Sequence, residues 1–250
     1  MHRRLRVAFF STGDELRSIG EALAPGCVYD SNRYTMWGML QRLGVDAIDL
    51  GVVRDDPAAL REAFAQAAAC ADAVITSGGV SVGEADHTKR IMAELGEVLF
   101  WRIAMRPGRP MAIGRIGPLA GAEGRIGAAP RQALLFGLPG NPVAVMVTFY
   151  AFVRDALLAM SGATPQPLPM LRAASTQAIR KKAGRTEYQR GIVTRSASSA
   201  SGWQVEITGA QGSGILRSMS VANGLVVLGH EQGNVAAGEL VDVLPFDGLV

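Results

Sequence analysis

The stretch AVITSGGVSVGEADHTKRIMAEL, residues 73–95, contains a complete strand–loop–helix unit and determines the fold class. It opens with a short run rich in β-branched residues, which is typical of a buried strand. The glycines at 78 and 79 end that run, and Ile91, Met92 and Leu95 then recur at helical spacing. A strand, a polar loop and a helix in this order form the repeating unit of parallel sheets covered by helices.

The same unit recurs on both sides of this stretch, so the pattern predicts an α/β domain over residues 1–162. Strands are predicted at Leu5 to Ser11, Val45 to Val53, Ala73 to Ser77, Val98 to Met105, Pro110 to Ile116 and Ala133 to Gly137. Helices are predicted from Asp30 or Ser31, from Pro57, over Thr88 to Leu95 and from Pro142. The Gly-, Ala- and Pro-rich segment from Gly117 to Arg131 is expected to be an exposed insertion.

The composition changes near Ser161, where SGATPQPLP has the character of an extended linker. Beyond it, short β-rich runs alternate with turn-rich pieces such as SASSASG, and no helix is predicted. Residues 170–250 are therefore expected to form a small all-β domain, with runs at Met170 to Ile179, Tyr188 to Thr194, Trp203 to Thr208, Gly224 to Leu228 and Glu239 to Leu244.

Composition excludes several functional classes. The formal net charge is only +3 and no aromatic-interleaved basic stripe occurs, so a nucleic-acid binder is not expected. Two cysteines, Cys27 and Cys70, cannot form a disulfide framework or a cysteine metal cluster. The amino terminus lacks the long apolar run of a signal peptide, and the apolar run from Pro142 to Val153 is too short to span a bilayer. We expect a cytoplasmic protein without a membrane segment.

The glycine-rich loop TSGGVSVGEAD, Thr76 to Asp86, is a candidate anion site. Gly78 and Gly79 allow backbone amides to approach a ligand, while Ser77 and Ser81 offer hydroxyl groups. A tight turn with a capping aspartate explains the same residues about equally well, because short glycine motifs often match by accident.

Acidic residues follow three of the predicted strands. Asp14 and Glu15 lie in STGDEL, Asp55 and Asp56 in VVRDDP, and Asp86 ends the glycine-rich loop. In a parallel sheet these loops meet at the carboxyl ends of the strands, where ligands bind. Several carboxylates at one edge suit a hard cation such as Mg²⁺, although any one of them alone is more simply a helix cap or a solvated side chain.

The fourth loop is LPGNP, residues 138–142. Its prolines and Asn141 are compatible with a mere sharp turn into a capped helix. The turn also places free amides and the positive end of a helix at the ligand edge, which suits a phosphate group.

Taken together, the motifs resemble those of one family. FSTGDEL, YDSN, VVRDD, ITSGGVSVGEAD, MRPGRP, GLPGNPVA, GRTEYQRG and GNVAAGELVDVLPF occur in this order in the molybdopterin molybdenumtransferases, including the carboxy-terminal part of gephyrin. The resemblance spans nearly all of the chain, and the combination of motifs is far more specific than any one of them.

This resemblance implies a three-layer, mostly parallel α/β domain followed by a small β domain. It implies a dimeric enzyme that uses adenylated molybdopterin, molybdate and Mg²⁺, inserting molybdenum and releasing AMP in molybdenum cofactor biosynthesis. An adenylyltransferase is the implied partner. Adenylyl transfer to molybdopterin itself and a non-catalytic binding or scaffold role are the alternatives.

The resemblance also implies site residues, by position in the matching motifs. The catalytic acids are Glu15, Asp55, Asp56 and Asp86, of which Glu15, Asp56 and Asp86 are the metal ligands. The ligand-binding residues are Thr12, Gly13, Asp14, Ser77, Gly78, Gly79, Ser81, Pro139, Gly140, Asn141, Pro142, Arg190 and Ser213. Family members carry two further domains before the α/β domain, so we expect this chain to bind ligand but to turn over slowly alone.

Overall fold

The computed structural model describes residues 3–80, 86–117, 132–209 and 211–247. The side chains of Asp86, His87, Lys89, Phe100 and Trp101 are not described. Most of the insertion expected at 117–131, and Ser81, therefore lie outside the described residues.

The chain folds into two compact units that are not separated at a single point. The first comprises Met1–Arg102, Pro110–Asn141 and Thr148–Pro165, and the second Ile103–Arg109, Pro142–Val147 and Gln166–Val250. The sequence alone indicated a single boundary, in the linker. The segments Ile103–Arg109 and Pro142–Val147, which belong to the second unit, do not differ in composition from their neighbours.

The strands and helices follow in chain order. The strands are β1 Arg6–Thr12, β2 Leu16–Arg17, β3 Val28–Tyr29, β4 Asp46–Val53, β5 Ala73–Ser77, β6 Gly96–Arg102, β7 Met105–Arg106, β8 Pro110–Ile116, β9 Ala133–Leu138, β10 Leu171–Ser175, β11 Thr186–Arg195, β12 Trp203–Ile207, β13 Gly224–Leu228 and β14 Leu240–Pro245. The helices are α1 Ser31–Arg42, α2 Pro57–Cys70, α3 Asp86–Leu95, α4 Pro142–Thr148, α5 Arg154–Met160 and α6 Arg217–Val221, with a π-helical turn Phe149–Val153 between α4 and α5.

The first unit contains a six-stranded sheet in the order β4-β1-β5-β9-β8-β6. Strands β4, β1, β5 and β9 are mutually parallel, whereas β8 runs antiparallel to both β9 and β6. The carboxyl ends of β1, β4, β5 and β9 therefore lie along one edge, which brings the loops after them together. The predicted mostly parallel α/β fold is confirmed.

Helices cover both faces of this sheet. Ala8 and Phe10 of β1 pack in one cluster with Leu60 and Phe64 of α2, with residues of α3 in the same cluster. The alternate β1 residues, such as Phe9, are equally buried, although they do not belong to that cluster. Helix α1 contacts β1 and β4, and its buried methionines are likewise outside the cluster, so it covers the opposite face. The result is the three-layer arrangement.

The helical stretch Pro142–Met160 is 19 residues long and is apolar enough, by length and composition, to cross a membrane. Half of its most apolar window is buried inside the structure, as in the core helix of many folded proteins. The apolar run predicted from the sequence, with 12 residues, is shorter than this helical stretch. Arg154 and Asp155 do not end the helix but begin its last segment, α5.

The second unit is a small β domain, as predicted. Its sheet has the order β12-β10-β14-β13-β11-β7, and the additional pairing of β12 with β11 closes it into a barrel-like form. Valines from four strands fill the interior, among them Val205, Val226 and Val243. The short helix α6 was not predicted, since five residues without an apolar period carry no helical signal.

Candidate functional site

A cavity of about 310 Å³ opens in the first unit at the carboxyl ends of β1, β4, β5 and β9. Its lining residues come from the last positions of β1 and β5, from the loops after the four strands and from the first turn of α1. They are Thr12, Gly13, Asp14, Glu15, Leu16, Asn32, Asp55, Ser77, Gly78, Gly79 and Gly140. Loops that are far apart in the sequence thus meet at one pocket, as the topology of a parallel sheet requires.

The glycine loop is tightly packed against its own surroundings. Gly78 and Gly79 have φ angles of +89° and +67°, which favour glycine. A Cβ on Gly78 would come within 2.6 Å of the Thr12 carbonyl oxygen, and one on Gly79 within 2.8 Å of Thr88 Oγ1. The two glycines are therefore required by internal contacts, whether or not a ligand approaches them.

The backbone amides at the pocket are not all available to a ligand. The Gly78 amide donates to the Leu138 carbonyl at 3.1 Å, which ties the glycine loop to the end of β9. No described residue accepts a hydrogen bond from the amides of Gly79 or Gly140. Ser77 is also committed internally, because its buried hydroxyl lies 3.0 Å from Ser11 Oγ.

The described lining of the pocket is acidic. It includes the carboxylates of Asp14, Glu15 and Asp55, and no described lysine or arginine lines it. Asp14 Oδ1 accepts the Asp55 amide at 3.2 Å, which links the loops after β1 and β4. Glu15 is held by the β2–β3 pair, since its carbonyl accepts the Val28 amide at 2.9 Å. The described lining residues therefore do not form a basic anion pocket, and any anion would depend on uncharged donors such as the backbone amides.

Two adjacent aspartates have different roles in the structure. Asp55 lines the pocket. Asp56 caps helix α2, where its Oδ1 accepts the amides of Ala58 and Ala59 at 3.0 and 2.9 Å. The motif RDD could not distinguish the two, whereas the structure directs Asp56 away from the pocket lining because the first turn of α2 needs its carboxylate.

The acids do not form a metal centre within the described part of the chain. No group of three or more His, Cys, Asp or Glu side chains there is arranged to hold a metal ion. Glu15 and Asp55 share the pocket, Asp56 is occupied as a cap, and Asp86 begins α3 with its side chain not described. The oxygen chemistry suits Mg²⁺, but the carboxylates whose side chains are described do not by themselves complete its coordination.

Asn32 is a pocket residue that the sequence analysis did not single out, although it stands in the YDSN motif. It is 7% exposed, and its Nδ2 donates to the Gly140 carbonyl at 2.6 Å. Asp30 is the N-cap of α1, the helix that contains Asn32, and its side chain accepts the Arg33 amide at 3.1 Å. The pattern Asp-Ser-Asn was interpreted only as a helix start, so the role of the third residue was missed.

The remaining predicted site residues lie elsewhere. Pro139, Asn141 and Pro142 flank Gly140 in the turn after β9 but are not among the pocket-lining residues, and Ser81 is outside the described residues. Arg190 and Ser213 belong to the second unit. There the Ser213 carbonyl accepts the Val143 amide at 3.1 Å.

Arg190 is a buried cation, only 1% exposed. Its Nε donates to Ser218 Oγ at 3.0 Å, and its guanidinium donates to the Gly212 carbonyl, also at 3.0 Å. Burial, together with the nearby positive charge of Arg106, lowers the pKa of Arg190 to about 10. The side chain therefore organises the loop that contains Ser213.

Two family models match the chain in succession. Residues 8–159 match the model described as "probable molybdopterin binding domain", and residues 172–246 match "MoeA C-terminal region (domain IV)". The first match covers the whole pocket, and the second covers nearly all strands of the β domain.

Named relatives agree with these matches. The molybdopterin molybdenumtransferase of Haemophilus influenzae is 39% identical over the whole chain, which spans 58% of that relative. Gephyrin of Dictyostelium discoideum is 30% identical over 95% of the chain, which spans 36% of that protein. The crystal structure of the molybdopterin biosynthesis MoeA protein of Pyrococcus horikoshii shares a TM-score of 0.76 at 30% identity, over 98% of this chain and 55% of the other.

Proposed function

We propose, since the chain belongs to the molybdopterin molybdenumtransferase family, that its first unit binds molybdopterin in the pocket at the carboxyl ends of β1, β4, β5 and β9. The observation that carries this proposal is the convergence of the family's motifs on one pocket. TGDEL, YDSN, RDD, TSGG and the PG turn are spread along the chain between Thr12 and Gly140, yet all contribute lining residues.

The pocket offers two kinds of partner that molybdopterin needs. The pterin ring system carries N–H donors, and the carboxylates of Asp14, Glu15 and Asp55 act only as acceptors when ionised. The phosphate is an acceptor, and the amides of Gly79 and Gly140 are donors without a described partner. Because like charges repel, the phosphate binds on the amide side of the pocket, away from the carboxylates.

We further propose that the reaction is molybdenum insertion. The dithiolene sulfurs of adenylated molybdopterin bind molybdenum and displace oxygen of molybdate, which leaves as water, and attack of water on the adenylate phosphoanhydride releases AMP. The contribution of this chain is to bind and orient the pterin, since positioning can supply much of the rate of such a step. No step is assigned to a divalent cation, because the described acids do not complete a site for one.

The match of residues 172–246 to the MoeA C-terminal region favours insertion over adenylyl transfer to molybdopterin. Pterin binding is the part that all three alternatives share, including the scaffold role. Binding and turnover therefore need separate measurements.

The first test is calorimetric titration of the chain with molybdopterin under anaerobic conditions, compared with a pterin that lacks the phosphate side chain. We expect saturable binding of molybdopterin and clearly weaker binding of the phosphate-free pterin. Equal affinities would rule out the amide side of the pocket as the phosphate site, and absence of binding would overturn the function.

The second test measures turnover. The chain is incubated with adenylated molybdopterin and molybdate, and AMP and molybdenum-loaded pterin are quantified. A parallel reaction contains the separately expressed part of the Haemophilus influenzae relative that lies outside the match. AMP release coupled one-to-one to molybdenum loading in either reaction supports insertion, whereas adenylylation of free molybdopterin from ATP would support the transferase alternative.

We also propose a cytoplasmic homodimer that receives adenylated molybdopterin from an adenylyltransferase, as the family resemblance implies. Light scattering of the purified chain tests the dimer, and cell fractionation tests the location. Co-purification with an adenylyltransferase from the same cells tests the partner.

A further inference from the structure

A chain of polar contacts joins four segments at the base of the pocket. Ser11 Oγ at the end of β1 lies 3.0 Å from Ser77 Oγ at the end of β5. The Nδ2 of Asn32 in α1 donates to Ser77 Oγ at 3.4 Å and to the Gly140 carbonyl at 2.6 Å. Asn32 is thus the one member that contacts both the strand before the glycine loop and the turn after β9.

The orientation of the Asn32 amide follows from its partners. A carbonyl can only accept, so the short contact with Gly140 requires Nδ2 on that side and leaves Oδ1 on the other. Oδ1 is buried and has no hydrogen-bond partner among the described residues. A buried amide that is half satisfied costs stability relative to an apolar side chain, which indicates that packing alone does not account for asparagine here.

The two turns that Asn32 connects approach each other closely. A Cβ on Gly140 would lie 3.6 Å from the Gly78 Cα, in van der Waals contact. The Gly78 amide also bonds to the Leu138 carbonyl, so β9 and the glycine loop are already tied on one side. The hydrogen bond from Asn32 to the Gly140 carbonyl fixes the same turn at a second point, two residues after Leu138.

We propose that Asn32 is a positioning residue, which holds the Gly140 turn against the glycine loop and so keeps the amides of Gly79 and Gly140 together for one ligand. The identity of that ligand as molybdopterin rests on the proposed function. The contact between the two turns does not, because it exists in the free protein.

The test compares Asn32→Leu and Asn32→Asp with the native chain. Leucine has a similar volume and removes both hydrogen bonds, whereas aspartate keeps the shape and places an acceptor against the Gly140 carbonyl. Hydrogen exchange by mass spectrometry follows the segments 78–80 and 138–141 in the free protein. Calorimetry gives the affinity for molybdopterin. Asn223→Leu is the matched control, because it removes two hydrogen bonds that an asparagine side chain makes with the Val193 backbone in the second unit, outside the pocket.

Both Asn32 variants are expected to accelerate exchange in these segments and to weaken molybdopterin binding by roughly tenfold, while the control changes neither. The positioning role would be overturned if the exchange rates of these segments in Asn32→Leu equal those of the native chain. It would also be overturned if exchange is faster but the affinity for molybdopterin is unchanged. If Asn32→Leu does not fold, Asn32→Ser provides the same comparison with a smaller change. If the native chain does not bind molybdopterin, the proposed function fails, and the exchange rates alone decide whether Asn32 holds the two turns.

Discussion

The two units treat their buried polar groups differently. In the described residues, every buried side-chain nitrogen or oxygen without a hydrogen-bond partner belongs to the first unit, and Asn32, Thr76 and Thr88 are among them. In the second unit, Lys181 and Glu187 are just as buried but fully engaged. Lys181 Nζ donates to three carbonyls, and Glu187 accepts from two neighbouring side chains.

Among the unpartnered residues of the first unit, Asn32 lines the pocket, whereas Arg6 lies at the start of β1, at the other end of that strand. A buried group with all its partners stabilises the surrounding loops, and removing it exposes several unmet partners at once. A buried group left without a partner lowers stability, and where it also lines a pocket, as Asn32 does, a role in binding is the explanation to test. The comparison predicts stability losses in the second unit and affinity losses around the pocket of the first.

The largest stability effect is expected for Lys181→Met. Its ammonium group lies 2.6 Å from the Gln232 carbonyl and 3.3 Å from two others, so the variant leaves three carbonyls without this donor. We expect a loss of about 3 kcal/mol in the free energy of unfolding of the second unit. Urea unfolding with peptide-resolved hydrogen exchange measures it. Lys182→Met, at the exposed neighbour, is the control, and equal losses in the two variants would contradict the comparison.

A loss of about 2 kcal/mol is expected for Gly79→Ala, from the left-handed backbone and the contact with Thr88. Gly78→Ala should cost more, because its Cβ meets the Thr12 backbone rather than a side chain. Thermal unfolding gives the stability, and calorimetry gives the affinity for molybdopterin.

Gly44→Ala is the matched control for these glycine variants. Gly44 has a φ of +68°, close to that of Gly79, but nothing lies within 4 Å of its missing Cβ. Its substitution is expected to cost about 1 kcal/mol and to leave ligand affinity unchanged. If Gly44→Ala and Gly79→Ala reduce stability and molybdopterin affinity by equal amounts, the close contacts around the glycine loop do not contribute to binding.

The smallest stability effect, with a clear functional contrast, is expected for the aspartate pair. Asp56→Ala removes two cap hydrogen bonds and should cost about 1 kcal/mol without changing molybdopterin affinity. Asp55→Asn should leave stability unchanged and weaken binding by roughly tenfold, since it replaces an acceptor in the pocket. Tighter binding by Asp55→Asn would indicate that its charge repels the ligand, and would contradict its role as an acceptor for the pterin.

The sequence by itself determined the class of each unit. Strands such as β1 and β5 are short apolar runs followed by glycine or acidic loops, and this local pattern is sufficient because burial on both faces demands apolar residues. The β domain was recognisable because its short β-rich runs are separated by turn-rich pieces. The motifs in their order also identified the family, because each loop that lines the pocket carries a distinct local signature.

Only the tertiary structure decided which residue of each motif faces the pocket. Asp55 and Asp56 are chemically identical and adjacent, and the start of α2 alone determines which one is used as its cap. Asn32 became a site residue only because β9 returns 108 positions later to place the Gly140 carbonyl beside it. Long-range contacts of this kind cannot be predicted from the local sequence pattern. Hydrophobic periodicity and turn residues indicate burial and backbone conformation, but they do not indicate which distant loop makes the contact.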